Sequence, residues 1–216
     1  LTEEQYRNTI SDLFGKTIAY GGHFDRLQRT DGLLGLGART ARITPTGFER
    51  YYTIARSISA QVVNEANRDT LIPCKPASAK DADDVCAKQF LRAVGRLLFR
   101  RPLSESELGL SVKSAHDVAA GRKDFYEGLA FSLAGMMATP KFLFVIDSTE
   151  PDPSNKGSER LTGYARASRL SFLLWNSTPD DLLLKAAENG DLYSKAGLEK
   201  QVARMIASPN LDAGVR

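Results

Sequence analysis

Residues 45–66, PTGFERYYTIARSISAQVVNEA, carry the periodicity that decides the fold. After Pro45, the side chains of Phe48, Tyr51, Tyr52, Ala55, Ile58, Val62 and Ala66 recur every three or four positions. That spacing makes one continuous apolar stripe, the pattern of an amphipathic helix packed on a core.

Similar helices lie on both sides. Upstream, Thr2 with Gln5 forms a capping box, in which each side chain bonds the other's backbone N–H. Tyr6, Ile10, Leu13 and Phe14 follow at helical spacing and Gly15 supplies the stop, so the first helix is expected over 3–14. From 16 to 46 the pattern dissolves into a glycine-rich loop bounded by Gly15 and Gly47; loops of that length in compact domains usually carry function or a partner contact.

Downstream, Pro73 and Pro76 break the chain in a second loop. Asp83 or Asp84 then starts a helix carrying Phe90, Leu91, Val94, Leu97 and Leu98, which ends before Pro102. Ser104 with Glu107 opens a helix to about Ala120, stopped by Gly121, and Phe125, Leu129, Leu133, Met136 and Met137 mark the next, stopped by Pro140. Phe142 to Ile146 is the one stretch that reads as a strand, and Asp147 to Glu159, with Pro151, Pro153 and Gly157, reads as a linker.

Beyond it, Thr162 caps a helix with Ala165, Leu170, Phe172, Leu173 and Trp175. Thr178-Pro179-Asp180-Asp181 reads as cap, proline at the first helical position and two carboxylates against the dipole. Gly190 closes that helix. Ser194 opens the last, with Leu198, Val202, Met205 and Ile206 inward. The expected class is all-α: a multi-helix orthogonal or bundle-like array with long loops and at most one short strand. Its regions are 1–72, 73–147, a linker at 148–160, and 161–216.

Composition bounds the rest. With 216 residues, 42% hydrophobic and 25% charged, the chain can bury a core. A net charge of +3 is too balanced for a nucleic-acid partner, and no apolar run approaches a membrane span. Arg96, Arg100 and Arg101 are explained as cations at a helix C-terminus. The chain opens directly on Leu1-Thr2-Glu3-Glu4, with neither Met nor a leader, and ends abruptly on Arg216, so a piece of a longer protein is expected.

The residues that carry chemistry are few. His23 and His116 are the two histidines, which rules out a three-histidine metal site from this chain alone, and each reads as a structural histidine. No Cys-x-x-Cys-His is present for haem attachment. Gly32 to Gly37 lacks the preceding strand and following helix of a phosphate loop. Asp83/Asp84 and Asp180/Asp181 sit at helix starts, where the dipole accounts for them, and Arg166 with Arg169 reads as a solvated face. Cys74 and Cys86 are either bridged, clamping the proline-containing loop onto a helix start, or two free thiols in a reducing compartment; spacing leaves both open.

Three stretches together resemble one family. These are LTEEQYRNTISDLFG at 1–15, FRRPLS at 99–104 and ASRLSFLLWNSTPDD at 167–181. They are similar to the domains of unknown function numbered 1587, 1595 and 1592, which occur in that order in exported, planctomycete-type, cytochrome-associated proteins. The resemblance implies a periplasmic or extracellular location, and with it a Cys74–Cys86 disulfide. It implies no catalytic residues. It further implies that the chain is the N-terminal helical part of a protein associated with a c-type cytochrome, a component of a haem-linked, electron-transferring oxidoreductase system. No cofactor is expected within the chain; haem c would belong to a missing domain or to a partner. The alternative is a non-catalytic binding or assembly subunit of an extracytoplasmic complex. In either case the expected partners are proteins or the remaining domains of the same protein.

Overall fold

A computed structural model describes residues 1–19, 21–22, 24 and 43–215. His23, the glycine run 32–37 and most of the loop 16–46 lie outside the described residues.

Helix α1 (Glu3–Phe14) has the full capping box at Thr2 and Gln5 and ends on Gly15 at φ 87°. That backbone favours glycine, which has no Cβ to clash. Helix α2 (Pro45–Val62) starts from Thr44, whose side chain accepts from the Gly47 N–H. It stops short of Ala66, because the Asn64 side chain accepts from the Ala66 N–H and begins a separate helix, α3 (Glu65–Leu71). The expected stripe therefore splits between two helices, and Phe48 at its head is 46% exposed.

Helix α4 (Asp84–Leu98) is capped by Asp83, and α5 (Glu105–Arg122) by the Ser104/Glu107 capping box. The stop of α5 is Lys123, in the left-handed region at φ 54°, and Gly121 remains inside the helix. Asp124 then caps α6 (Phe125–Met137), so α5 and α6 form a helical hairpin. A Cβ on Gly128 would run into the Ala115 carbonyl, so glycine is what lets these two helices approach so closely.

Two corrections fall in the next stretch. Pro140 to Leu143, expected to run into a strand at Phe142 to Ile146, forms a single helical turn, α7 (Pro140–Leu143). Proline suits the first helical position, where its missing N–H is not needed, and the Leu143 N–H closes the turn on the Thr139 carbonyl. The expected linker holds the strands instead: β1 (Thr149–Pro151) pairs antiparallel with β2 (Glu159–Leu161), Glu150 opposite Arg160. Their side chains form a cross-strand ion pair at 2.8 Å.

The last third comprises α8 (Gly163–Leu174), α9 (Asp181–Glu188), a 3-10 turn (Asp191–Tyr193), α10 (Lys195–Ile206) and the short α11 (Asp212–Val215). Thr178 does not cap α9. Its hydroxyl donates to the Leu97 carbonyl, and Asp180 takes the capping role by accepting from the Leu183 N–H. Ile206, expected inward, is 53% exposed, and Leu173 on α8 is 72% exposed.

Two cores result. Tyr6, Ile10, Ile58, Phe90, Leu129 and Phe142 belong to the larger, to which α1, α2, α4, α5, α6 and α7 all contribute. Trp175, Leu183, Leu192 and Met205 belong to the smaller, built by α8 to α10. The architecture is mostly α, with one two-stranded sheet among the described residues.

Candidate functional site

Polar side chains of the first and third motif stretches meet where the two cores join, and the end of α4, just before the second stretch, reaches the same place. On α1, Asn8 and Asp12 are one helical turn apart and share a face. Facing them is the bend after α8, where Asn176 takes a left-handed backbone at φ 51°. Asn is among the few residues that tolerate that region. The bend exposes backbone that α8 would otherwise satisfy. The Asn8 amide donates to the Asn176 carbonyl at 3.2 Å, and Ser177 Oγ donates to Asp12 Oδ2 at 2.6 Å. Ser171 Oγ closes the bend by donating to the Ser177 carbonyl at 2.7 Å. Packing around the Asp12 carboxyl raises its pKa above the usual aspartate value, against the lowering effect of the Ser177 bond.

The end of α4 reaches the same bend. Thr178 Oγ1 donates to the Leu97 carbonyl at 3.0 Å, and Arg96 pairs with Asp181 and Glu188 of α9, both at 3.3 Å. Asp181 is held below the usual carboxylate range, mainly by its bond to Lys185. Asp180, besides capping α9, binds Arg204 through both oxygens at 2.6 and 3.0 Å, and Trp175 Nε1 donates to the Met205 carbonyl.

Arg100 and Arg101 part company. Arg101 makes a two-pronged bond to Glu107 (2.9 and 2.7 Å), which already serves the capping box and also binds Lys141. The Glu107 carboxyl is accordingly far below its usual pKa, chiefly through the Arg101 bond. Arg100 turns inward on a left-handed backbone (φ 57°) and is 3% exposed. It does complement helix carbonyls, as expected of this cluster, but as a buried strap between α4 and α7 rather than a solvated cation.

The remaining sequence candidates scatter. Cys74 and Cys86 are joined by a disulfide, with Cα atoms 5.5 Å apart. The bond ties the loop after α3 to the first turn of α4, and the Asp83 carboxylate, kept acidic by the Cys86 and Ala77 N–H groups, fastens the same loop. From there the Ala79 carbonyl accepts from the Phe125 N–H at the start of α6. His116 Nδ1 lies 2.8 Å from Asp84 on an open face. Arg169 binds Asp147 at 2.8 and 2.6 Å, whereas Arg166 donates to the Leu161 and Leu192 carbonyls and lies over the Tyr193 ring. Among the described residues no three His, Cys, Asp or Glu side chains converge as a metal-binding group.

Asp12, Ser177 and Tyr193 were not singled out by sequence. Tyr193 accepts from the Gly163 N–H at 2.6 Å while Arg160 stacks 3.8 Å from its ring, which fixes the β-hairpin to the second core. No periodicity marks such residues, since their partners are far away in the chain.

Each of the three motif stretches falls within a match to a known family. Residues 1–64 match the family described as protein of unknown function (DUF1587), residues 86–147 that described as protein of unknown function (DUF1595), and residues 161–216 that described as protein of unknown function (DUF1592). The chain thus carries these three families' segments in that order. No curated protein and no solved structure matches it significantly.

Proposed function

We propose that this chain is a disulfide-clamped, non-catalytic binding or assembly module of an exported protein, which holds further domains or protein partners in fixed orientation. The observation that carries the reading is the junction. At this junction polar groups of the three family segments bond one another: Asn8 and Asp12 the bend at 176–177, Arg96 and the Leu97 carbonyl residues 178–188. Side chains kept for chemistry would instead face a cleft with their protons available. Export is supported by the Cys74–Cys86 bond, because disulfides persist in oxidising compartments. Among the described residues, no helix is long and apolar enough to cross a membrane.

We infer a second reading from the order 1587, 1595, 1592, which, by the resemblance read from the sequence, implies association with a cytochrome. On that reading the module sits beside a c-type cytochrome, in a further domain or a partner, within a haem-linked oxidoreductase system.

Isolation of the native protein from its cells tests both, by mass under non-denaturing conditions and by visible spectrum. A stable stoichiometric complex is the expected result. Haem bands that stay with the protein through purification support the second reading. A solitary protein without haem bands overturns both.

A further inference from the structure

Arg100 is a buried cation that the fold surrounds with dipoles and, among the described residues, pairs with no counter-charge. Its Nη1 donates to the carbonyls of Leu98 and Phe142 at 3.1 and 3.3 Å, and its Nη2 to those of Lys141 and Phe144, both at 2.7 Å. Every acceptor is a neutral carbonyl. Buried charges are ordinarily paired with an opposite charge, because carbonyl dipoles offset only part of the lost hydration. The loss shows in a guanidinium pKa lowered to about 10, first by burial and then by Arg101.

The same residue forms part of the wall of an open cleft of about 280 Å³, between the end of α4, α7 and the start of α8. Arg101 and Lys141 line it too, with the hydroxyl-bearing Ser148, Tyr164 and Ser168, and no carboxylate is among its lining residues. Among the described residues, the carboxylate bonded to these cations is Glu107, whose Oε1 is shared by Arg101 Nη2 (2.7 Å) and Lys141 Nζ (2.5 Å). Three positive charges therefore meet a single negative one. The Glu107 arrangement also displays what the cluster grips: an oxyanion oxygen held jointly by a guanidinium and an ammonium. The Phe99 ring, with Arg101 and Lys141 about 6 Å from its centre, adds an apolar wall.

We propose that this cleft is an anion-binding site for a small molecule bearing an oxyanion group, a carboxylate or a phosphate, with a short apolar body against Phe99. Sites of this kind favour seams between packed units, where a few convergent polar groups meet an apolar lining. The proposal stands apart from the assembly reading and does not require it.

Calorimetric titration of the full chain at low ionic strength, where screening is weakest, tests the site with butyrate, inorganic phosphate and chloride. Saturable binding of butyrate or phosphate, but not chloride, is expected, and the tighter of the two identifies the oxyanion class. The double variant Lys141→Gln/Arg101→Gln, checked for native helicity by circular dichroism, should lose about tenfold or more in affinity, as expected on removing charge-assisted bonds. Glu107→Gln removes the internal competitor and should tighten binding severalfold, an effect that a purely structural cation cluster would not produce. No saturation with either oxyanion overturns the proposal. So does an affinity unchanged in the double variant, or one weakened by Glu107→Gln.

Discussion

Ser177 Oγ donates a 2.6 Å hydrogen bond to Asp12 Oδ2, across 165 residues of sequence. With the neighbouring bond from Asn8 to the Asn176 carbonyl, it fastens the first helix of the larger core to the bend that opens the last segment of the smaller one. Neither residue belongs to an apolar stripe; their contribution is to register one unit against the other.

Removing the carboxylate should loosen that register. Asp12→Ala leaves the Ser177 hydroxyl without its acceptor, at a cost of about 1 kcal/mol, measured by urea denaturation. Asp12→Asn keeps an acceptor and no charge. Because folding raises the Asp12 pKa, its contribution is fully present below the usual aspartate value and lost as pH rises through the folded pKa. Wild type minus Asp12→Asn stability should therefore fall as pH rises through that range. Solvent on the open side of Asp12 keeps the change small. A difference that grows with pH would overturn the assignment.

Glu107 has the opposite sign. Its pKa is depressed, so its stabilisation is complete above the ordinary glutamate value of 4.5 and is lost as pH falls toward the folded value. Glu107→Gln retains the capping box but not the charge-assisted bonds to Arg101 and Lys141. A loss of about 1–3 kcal/mol at neutral pH is expected, together with a flatter acid limb in thermal melts. An unchanged acid limb would show that the trio contributes nothing.

For the disulfide, alkylation without reductant followed by mass spectrometry should leave both Cys74 and Cys86 unmodified. Replacing both by Ser should cost about 3 kcal/mol on the chain-entropy estimate. The loss should appear locally too, as faster hydrogen exchange at Phe125, whose N–H is held by the Ala79 carbonyl of the clamped loop. Free thiols in the protein as isolated would argue against export.

Gly128→Ala sets helix propensity against packing. In an exposed helix the change would stabilise by about 1 kcal/mol. Here the new methyl meets the Ala115 carbonyl and the Ala119 side chain, so a net destabilisation of about 1–3 kcal/mol is expected by chemical denaturation. A more stable variant would mean that α5 and α6 separate readily.

What the sequence determined by itself was local. The caps at Thr2, Asp83, Ser104, Thr162 and Ser194 each bond a backbone N–H within three residues, so the chain nearby suffices to specify them. The apolar spacing that set α4, α6 and the all-α class is local in the same sense. Even the three motif stretches were legible, as helix boundaries and as a family resemblance. Tertiary structure decided what depended on a distant partner. Thr178 yields the cap of α9 to Asp180 because the Leu97 carbonyl claims its hydroxyl. Residues 140–143 close a turn whose neighbouring carbonyls find a donor in Arg100. Hydrogen bonds and buried charges of this kind pair groups that are remote in sequence, and no periodicity within the chain records which remote group will be the partner.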